Sequence, residues 1–547
     1  MLSVECASCP EGSHHPKYQV EVLRQLAETF REISPADFFY RNRDVAGFSN
    51  PSRAVYSTVR ELVENSLDAC ETRGILPDIF IKISSLQGTS EVSQVLKVLV
   101  SDNGSGIPPQ YVPQAFGQVL FGSKYVLRQM RGTFGLGGKM AYLYGQITTN
   151  TPLRIVTSTG SKVYEFSLMI DIQRNRQKIV YQKELRRLKK WRGTLVEFSI
   201  EGDYYRASPK IVEYLRQTAM VAPYANITFI DIEGRLIRFT RATNLMPKSP
   251  KETLPHPHGI DVENLQRIIE LSKERNMQQF LTKNFHRVGK ATAKLFLNEV
   301  KIDPRKDPRK LSHEEIVGLA RALRSFEGFL PPDASCLSPL GESLLEAGIR
   351  KELQPEFVAV ESRRPSAYSG HPFIVEVGIA YGGKVQQGGA SLYRFANRIP
   401  LLYDESSDVS WKVVNQLMNW KRYNVDLAVA PLAIIVHICS TKIPYKTVGK
   451  EYVADRPEIE REIMNAMRDV ARRLSLFLSK RLSYEREKRR FDVFERYLPK
   501  MAKYAASTVG LKNAPSVKPL LVKASKLSTE MVEGGKEKEV LEGSVAS

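Results

Sequence analysis

Cysteine is scarce, with five residues in a chain of 547, too few and too irregularly placed to frame a disulfide-stapled secreted domain. Long apolar runs are missing too. None reaches the roughly 18 residues a spanning helix needs, and the longest candidate, residues 427–439, reads as a buried strand. The opening MLSVECASCPEGSHHP has no basic start, apolar middle or small-residue cleavage site of a signal peptide, so a reducing cytoplasmic setting is expected. Within it Cys6, Cys9, His14 and His15 have the local spacing of a zinc half-site, but no second pair lies at a suitable distance. A mobile leader over residues 1–20 is expected instead. Acidic residues are also short: 60 Asp and Glu face 80 Lys and Arg, a net charge of +20 that favours a polyanionic partner, nucleic acid before membrane.

What is present suffices for about three to four folded units. Residues 52–73 predict one helix, because Val55, Val59, Leu62, Val63 and Leu67 recur on one side at helical spacing. Glu61, Asn65 and Asp68 then share the opposite face. IFIKIS and QVLKVLVSD read as strands, the second running into the turn DNGSGIPP. The glycine-rich RGTFGLGGK, a helix MAYLYGQ and strands at LRIVTS, VYEFSLMI and TLVEFSI complete an α/β sandwich over roughly residues 40–240. A Pro-rich KSPKETLPHPHG opens a small helical insert from Asp261 to about Arg324, and FEGFLPPDASCLSPLG closes it. Strands return at FIVEVGIAYGG and LAIIVHICS around a helix containing WKVVNQLMNW. A basic helix follows over about residues 457–497, then a polar tail expected to be partly disordered.

Taken alone, Glu61, Asn65 and Asp68 are the solvated face of an amphipathic helix. The chemical alternative is that Glu61 polarises a water attacking a γ-phosphate, while Asn65 offers the neutral oxygen that the hard cation Mg²⁺ accepts beside phosphates. Both roles need one shared face. Asp102, at a strand end, can accept a hydrogen bond from the exocyclic amine of adenine, with Gly104 and Gly106 letting the base approach; its bland alternative is a plain Asp-Asn-Gly turn. Gly132, Gly135, Gly137 and Gly138, then Lys139, offer backbone N–H groups, a helix N-terminus and a cation to a triphosphate, or else form a surface loop. The segment is not a Walker A loop, since Met140 stands where the metal-binding hydroxyl belongs, nor is it G-x-G-x-x-G.

The order RELVENSLDA, SDNGSGI, GTFGLGGK and RGTLVEF resembles the superfamily of gyrase, heat-shock chaperone, histidine kinase and mismatch-repair ATPases. More closely, FGSKYVLRQMRGTFGLGGKMAYLYGQITT, EGDYYRASPKIVEYLRQTA, RFANRIPLLYDE and STKIPYKTVGKEY are similar to the topoisomerase VI B subunit family over about residues 20–500. The resemblance implies a Bergerat-type ATPase α/β sandwich with an N-terminal strap (21–245), a helix-two-turns-helix insert (246–328), an α/β transducer of left-handed crossover type with a long C-terminal stalk helix (329–500), and a tail (501–547). It implies ATP and Mg²⁺ as ligands, with Glu61 as general base, Asn65 on Mg²⁺ and Asp102 on adenine supported by Thr194. Ser123 and Lys124, with Gly132, Thr133, Phe134, Gly135, Leu136, Gly137, Gly138 and Lys139, would form the triphosphate lid. A transducer lysine reaching the γ-phosphate is implied as well, Lys442 being nominated over Lys446. Trp420, Lys421, Arg422 and Tyr423 match the family's W-K-x-Y and become DNA contact candidates, whereas without the resemblance Trp420 reads as core. Arg472, Arg473, Lys480, Arg481, Lys488, Arg489 and Arg490 read as a solvated helix face that leaves DNA contact open.

No D-x-D occurs anywhere in the chain, and no tyrosine is marked by its context, so the metal-assisted DNA cleavage of a type II enzyme is expected from a separate protein. The resemblance implies the topoisomerase VI A subunit as that partner in an A2B2 heterotetramer, an ATP-driven self-dimer and duplex DNA as substrate. Two competitors remain. A mismatch-repair-like or chaperone-like ATPase lacks the helical insert and W-K-x-Y; a DNA-binding scaffold with a degenerate nucleotide fold lacks Glu61 or the glycine lid. A histidine kinase is disfavoured, since His14 and His15 lie in a Pro-containing leader rather than on a dimerisation helix.

Overall fold

The computed structural model describes residues 32–88, 94–122, 126–132, 135–185, 191–446, 449–511 and 513–522. The leader with Cys6, Cys9, His14 and His15, the lid candidates Ser123, Lys124, Thr133 and Phe134, and the tail after residue 522 lie outside the described residues.

A short helix α1 (Pro35–Arg41) precedes α2 (Pro51–Glu71), whose start follows from local chemistry: the Asn50 side chain accepts the Arg53 N–H at 2.8 Å and Pro51 needs no partner for the N–H it lacks. Its apolar stripe of Val55, Val59, Leu62, Val63 and Leu67 is buried as its spacing requires. The opposite face is only partly solvated: where it walls a cavity Glu61 is buried, Asp68 half-buried and Asn65 exposed, and Glu64 is buried beside them. Eight strands form one sheet: β1 (Asp78–Gly88), β2 (Gln94–Asp102), β3 (Leu153–Ser158), β4 (Val163–Asp171), β5 (Arg176–Leu185), β6 (Gly193–Gly202), β7 (Asn226–Ile230) and β8 (Leu236–Phe239), in the order β5-β4-β3-β6-β2-β1-β7-β8. All pairs are antiparallel except β1 with β7. Short α3 (Val112–Gly117), then α4 (Gly137–Thr149) and α5 (Tyr204–Val221), join α2 in its core, with Ile81, Val98, Ile155 and Ile200 from the sheet and Met140, Leu143, Ile211 and Leu215 from the helices.

Helices α6 (Val262–Leu271), α7 (Met277–Asn284), α8 (Lys290–Glu299) and α9 (His313–Ser325) make the insert, with a core of their own around Phe280, Phe285, Phe296, Phe326 and Phe329. A capping box between Ser312 and Glu315 starts α9.

After α10 (Glu342–Leu353) a second sheet is built from β9 (Phe357–Ser362), β10 (Ser366–Tyr368), β11 (His371–Tyr381), β12 (Ser391–Ala396), β13 (Ile399–Pro400) and β14 (Leu432–Ser440). Every residue of β14 is buried, which accounts for the apolar run in the sequence. The expected helix around WKVVNQLMNW is broken into one α-turn, α11 (Val409–Lys412), a π-turn at 413–417 and a 3₁₀ turn at 420–423. Trp420 is buried in this domain's core, its indole N–H donating to the Val414 carbonyl at 2.8 Å. That corrects its candidacy as a DNA contact: no ring face is offered for a base to stack on, and only Lys421 and Arg422 of the quartet are exposed, Tyr423 being partly buried.

The basic helix, α12, spans Pro457–Thr508, about 78 Å at the usual rise per residue. It overruns the expected end near 497 and passes through Pro499, because Ala502, Lys503, Ala505 and Ala506 restore helical propensity directly afterwards. Ile459, Ile463, Met467, Val470 and Leu474 bury its first half against the second sheet. Part of the basic run is structural. Arg473 pairs with Glu361 at 2.6 Å, Arg481 with Glu356 at 2.7 Å and Arg472 with Asp469 at 3.1 Å, while Lys488, Arg489 and Arg490 are exposed.

Candidate functional site

A cavity of about 760 Å³ opens between α2, the end of β2, the segment leading into α4, and two loops of the second α/β domain. That is the size range of a site holding a ligand larger than a metabolite fragment. Glu61, Asn65, Asp68, Asp102, Gly106, Gly132, Gly135, Leu136, Gly137, Gly138, Lys139 and Thr194, all expected from the sequence, line it.

At one end, Asp102 closes β2. Its Oδ1 accepts the Gly104 N–H at 2.9 Å and the Thr194 N–H at 3.2 Å, and its Oδ2 accepts the Ser66 hydroxyl at 3.2 Å. Gly193 makes this possible: at φ 138° it passes so close to the Asp102 carbonyl that a Cβ would overlap it, which lets the next residue, Thr194, reach the carboxylate. Burial pushes the Asp102 carboxyl up to about 6, the three hydrogen bonds opposing that rise. A partner with an amino hydrogen meets a ready acceptor here above pH 6 and a protonated carboxyl below it.

The other end carries charge. Glu61 is buried with its Oε1 2.9 Å from Arg60 Nη2 and 3.9 Å from Lys450 Nζ. Lys450 also lies 3.3 Å from Glu64 Oε2, and Arg60 Nη1 donates to the Gly449 carbonyl at 3.1 Å, tying the lysine's loop to α2. Burial works against the Lys450 ammonium, but Glu61 and Glu64 outweigh it and hold its pKa above the ordinary lysine value. Gly137, the first residue of α4, abuts the Glu61 carboxylate so closely that a Cβ would overlap it. Any side chain there would displace the acid. One residue on, the Gly138 Cα faces the Asn65 amide, to which an added Cβ would stand 3.1 Å away. Lys139 reaches across the cavity to donate to the Phe121 carbonyl, and burial pulls its pKa down to about 8.

The transducer lysine is where sequence and structure differ. Lys442 is exposed and Lys446 is exposed, and neither lines the cavity; Lys450, eight positions beyond Lys442 in the same loop, does. The stretch STKIPYKTVGKEY offers three lysines, and only proximity to Glu61 selects among them. Arg60, Glu64, Arg131, Asn397 and Arg398 were likewise not singled out by motif.

The donor set fits a nucleotide triphosphate with a divalent cation. An acceptor recessed behind glycines suits a base, glycine N–H groups and cations at a helix N-terminus suit phosphates, and an amide oxygen beside a carboxylate suits Mg²⁺ and its water.

Sequence comparison agrees. The ATPase family described as "Histidine kinase-, DNA gyrase B-, and HSP90-like ATPase" matches residues 50–169, and "Topoisomerase VI B subunit, transducer" matches residues 332–490. The B subunit of type 2 DNA topoisomerase 6 from Saccharolobus islandicus (strain L.S.2.15 / Lassen #1) is 43% identical over 511 residues, 93% of this chain and 94% of that protein. Its counterpart in Metallosphaera sedula is 44% identical over 481 residues, 87% of this chain and 90% of the relative. The 43K ATPase domain of Thermus thermophilus gyrase B aligns at 12% identity and a TM-score of 0.38, covering 83% of this chain and 98% of that one, a likeness too loose to add weight. With the cavity, the second α/β domain and 43% identity over 93% of the chain in agreement, the chain belongs to the B subunit family of type 2 DNA topoisomerase 6, the ATP-driven component of a type II DNA topoisomerase.

Proposed function

We propose that this chain uses ATP binding to close a gate of two copies around one DNA duplex, and hydrolysis to reopen it, while a partner protein makes the transient double-strand break in another. The observation that carries the reading is the composite cavity: α2 supplies Glu61 and Asn65, and the transducer supplies Lys450 to the same carboxylate. A nucleotide bound between them touches both domains, so its affinity differs between their arrangements, which is what an ATP-driven motion needs.

Position in the cavity supports the following residue roles. Asp102, held by Gly104, Thr194 and Ser66, reads the adenine amine. Gly132, Gly135, Gly137 and Gly138 present N–H groups to the phosphates, Lys139 their countercharge, and Leu136 lines the cavity beside them; Ser123, Lys124, Thr133 and Phe134, outside the described residues, are assigned to the same lid by the family resemblance alone. Asn65 would hold Mg²⁺, and that ion would supply countercharge to the phosphates. Glu61 orients the attacking water and takes its proton. Lys450, parked on Glu61 and Glu64, transfers to the γ-phosphate, a denser anion, and so couples its presence to the transducer. Lys421 and Arg422 remain candidates for duplex phosphate contact beside the exposed cations of α12.

The break-making partner is the topoisomerase VI A subunit that the relatives' name implies, in an A2B2 heterotetramer. The distal half of α12 supports docking: Phe494, Tyr497, Met501 and Tyr504 are 50%, 50%, 67% and 77% exposed and recur at spacings of three and four, one helical stripe left at least half exposed among the described residues. The test is reconstitution on supercoiled plasmid. Relaxation is expected only with ATP, Mg²⁺ and the partner together, and a non-hydrolysable ATP analogue should shift the chain from monomer to dimer in sedimentation. Relaxation without nucleotide, or none with the correct partner, would sink the reading.

The pH response of nucleotide affinity checks the Asp102 role separately. Binding selects the ionised carboxylate, so ATP affinity should be level above pH 7 and weaken as pH falls through 6, by at most about tenfold per unit. For folding the sign is reversed: the native state holds this proton more tightly than the unfolded chain, so Asp102 by itself favours folding as pH drops from 6 toward 4. Calorimetric titration from pH 8 to 5, with Asp102→Asn subtracting the nucleotide's own ionisation, reads the effect; parallel profiles would remove Asp102 from the adenine.

A further inference from the structure

Between β12 and β13 the chain turns through Asn397 and Arg398, both left-handed at φ 49° and 65°, and sends their side chains out of the transducer sheet into the cavity wall. Arginine does not take that conformation readily, so what holds it there matters. Asn397 bridges two segments. Its Nδ2 donates to the Met130 carbonyl at 3.1 Å and the Ser440 carbonyl at 3.0 Å, while its Oδ1 accepts the Ser440 N–H at 2.9 Å. Met130 stands two residues before the glycine lid begins at Gly132. Ser440 ends β14 and opens the loop that runs on to Lys450.

Arg398 makes the second grip. Its Nη1 donates to the Tyr224 hydroxyl at 3.0 Å and lies 3.4 Å from Glu71 Oε2, its Nη2 donates to Ser338 Oγ at 3.2 Å, and its N–H donates to His437 Nε2 at 3.1 Å. Glu71, the last residue of α2, takes two hydrogen bonds from Arg131 at 2.8 and 2.7 Å and one from Tyr224 at 2.7 Å. Arg131, the residue before Gly132, also pairs with Asp68 at 3.0 Å. One buried carboxylate is thus held at once by the base of the lid and by the transducer. Burial alone would raise the Glu71 pKa, but the two guanidiniums keep it below the ordinary value, so the link is ionic throughout the physiological range.

We propose that Arg398 is a positioning residue for ATP turnover: with Asn397 it forms a second tie between transducer and nucleotide site, separate from Lys450, that reports the position of the lid base rather than the γ-phosphate. Any displacement of Met130 or Arg131 when nucleotide fills the cavity is passed on, because both are bonded to the groups that the transducer holds. Through Asn397 and Glu71 that shift reaches the turn after β12, which lines the cavity, and the end of β14, which opens the loop leading to Lys450. Packed ionic networks of this kind move between discrete arrangements rather than stretching, which suits a switch. The inference rests on the assignment of the cavity to ATP.

The test uses the full chain carrying Arg398→Lys, which keeps the charge but cannot reach Tyr224, Ser338 and Glu71 together, and Tyr224→Phe, an isosteric change that removes only the shared hydroxyl. Expected for Arg398→Lys is a fall of about tenfold in kcat per folded molecule with the KM for ATP within about threefold, and for Tyr224→Phe a smaller fall of the same form. Amide hydrogen exchange with a non-hydrolysable ATP analogue should show residues 129–132 still protected by nucleotide in both variants, while nucleotide-dependent protection of residues 397–400 and 441–446 is lost. Wild-type kcat and wild-type protection of those transducer segments in both variants would overturn the proposal. So would a loss of activity that tracks only the folded fraction measured by circular dichroism. If the wild type fails to bind ATP, or shows no nucleotide response at residues 129–132, the cavity assignment falls and this inference with it.

Discussion

Glu61→Ala should lower ATP turnover by ~10²- to 10⁴-fold, the usual contribution of a positioned general base, while a non-hydrolysable analogue still drives dimerisation. The separation of the two effects follows from the surroundings of the carboxylate. Arg60, 2.9 Å away, keeps a second anion at Glu64, 3.6 Å away, and the Gly449 carbonyl, so the cation is not orphaned. Removing Glu61 also relieves repulsion on Glu64, so the fold should tolerate it. Under the proposed roles the glycine segment and Lys139 contact the phosphates, and neither depends on the acid. Single-turnover hydrolysis and sedimentation on one preparation read both consequences. An unchanged rate would take the base role from Glu61, and loss of dimerisation would make it a structural anion.

Lys450→Met should cost ~10²-fold in turnover, on the scale of removing one preorganised donor from a developing charge, whereas Lys442→Met should change it by less than about threefold. The contrast is geometric: Lys450 lies in the cavity and Lys442 outside it. The substitution also strips a cation from two buried glutamates, and breaking a buried pair costs about 3–5 kcal/mol where nothing replaces the partner. Arg60 reaches both carboxylates, so the loss should be smaller, and a melting curve on each variant separates it from the kinetic effect. A large effect at Lys442 with none at Lys450 would show that the loop rearranges before catalysis.

Trp420 and the lysine loop show how resemblance and packing divide the labour. A W-K-x-Y string gives residue types, and an aromatic beside two cations suits DNA as well as it suits the rim of a core. Which it is depends on Trp420 joining the same buried core as Val409, Val413 and Met418 and on the Val414 carbonyl taking the indole N–H. None of these is set by local spacing. The three lysines of the loop are chemically equivalent in the sequence, and the choice falls to Gly449, whose carbonyl Arg60 anchors from 389 positions away.

Local patterning carried the nucleotide module: helical spacing put Glu61, Asn65 and Asp68 on one face, a strand ended at Asp102, and glycines collected ahead of Lys139. It determined the insert, the second α/β domain and the long basic helix, since each is written in a local period of apolar residues or a Pro-rich break. These are short-range properties, fixed by backbone geometry and burial of one face. It took the packing of whole domains to bury Glu61 and Glu64 on α2, to set Lys450 beside Glu61, and to bring Arg131 and Arg398 onto Glu71. Those facts depend on the meeting of segments 60 to 389 residues apart in sequence. Where such segments meet is set by how whole domains pack, which no local period encodes.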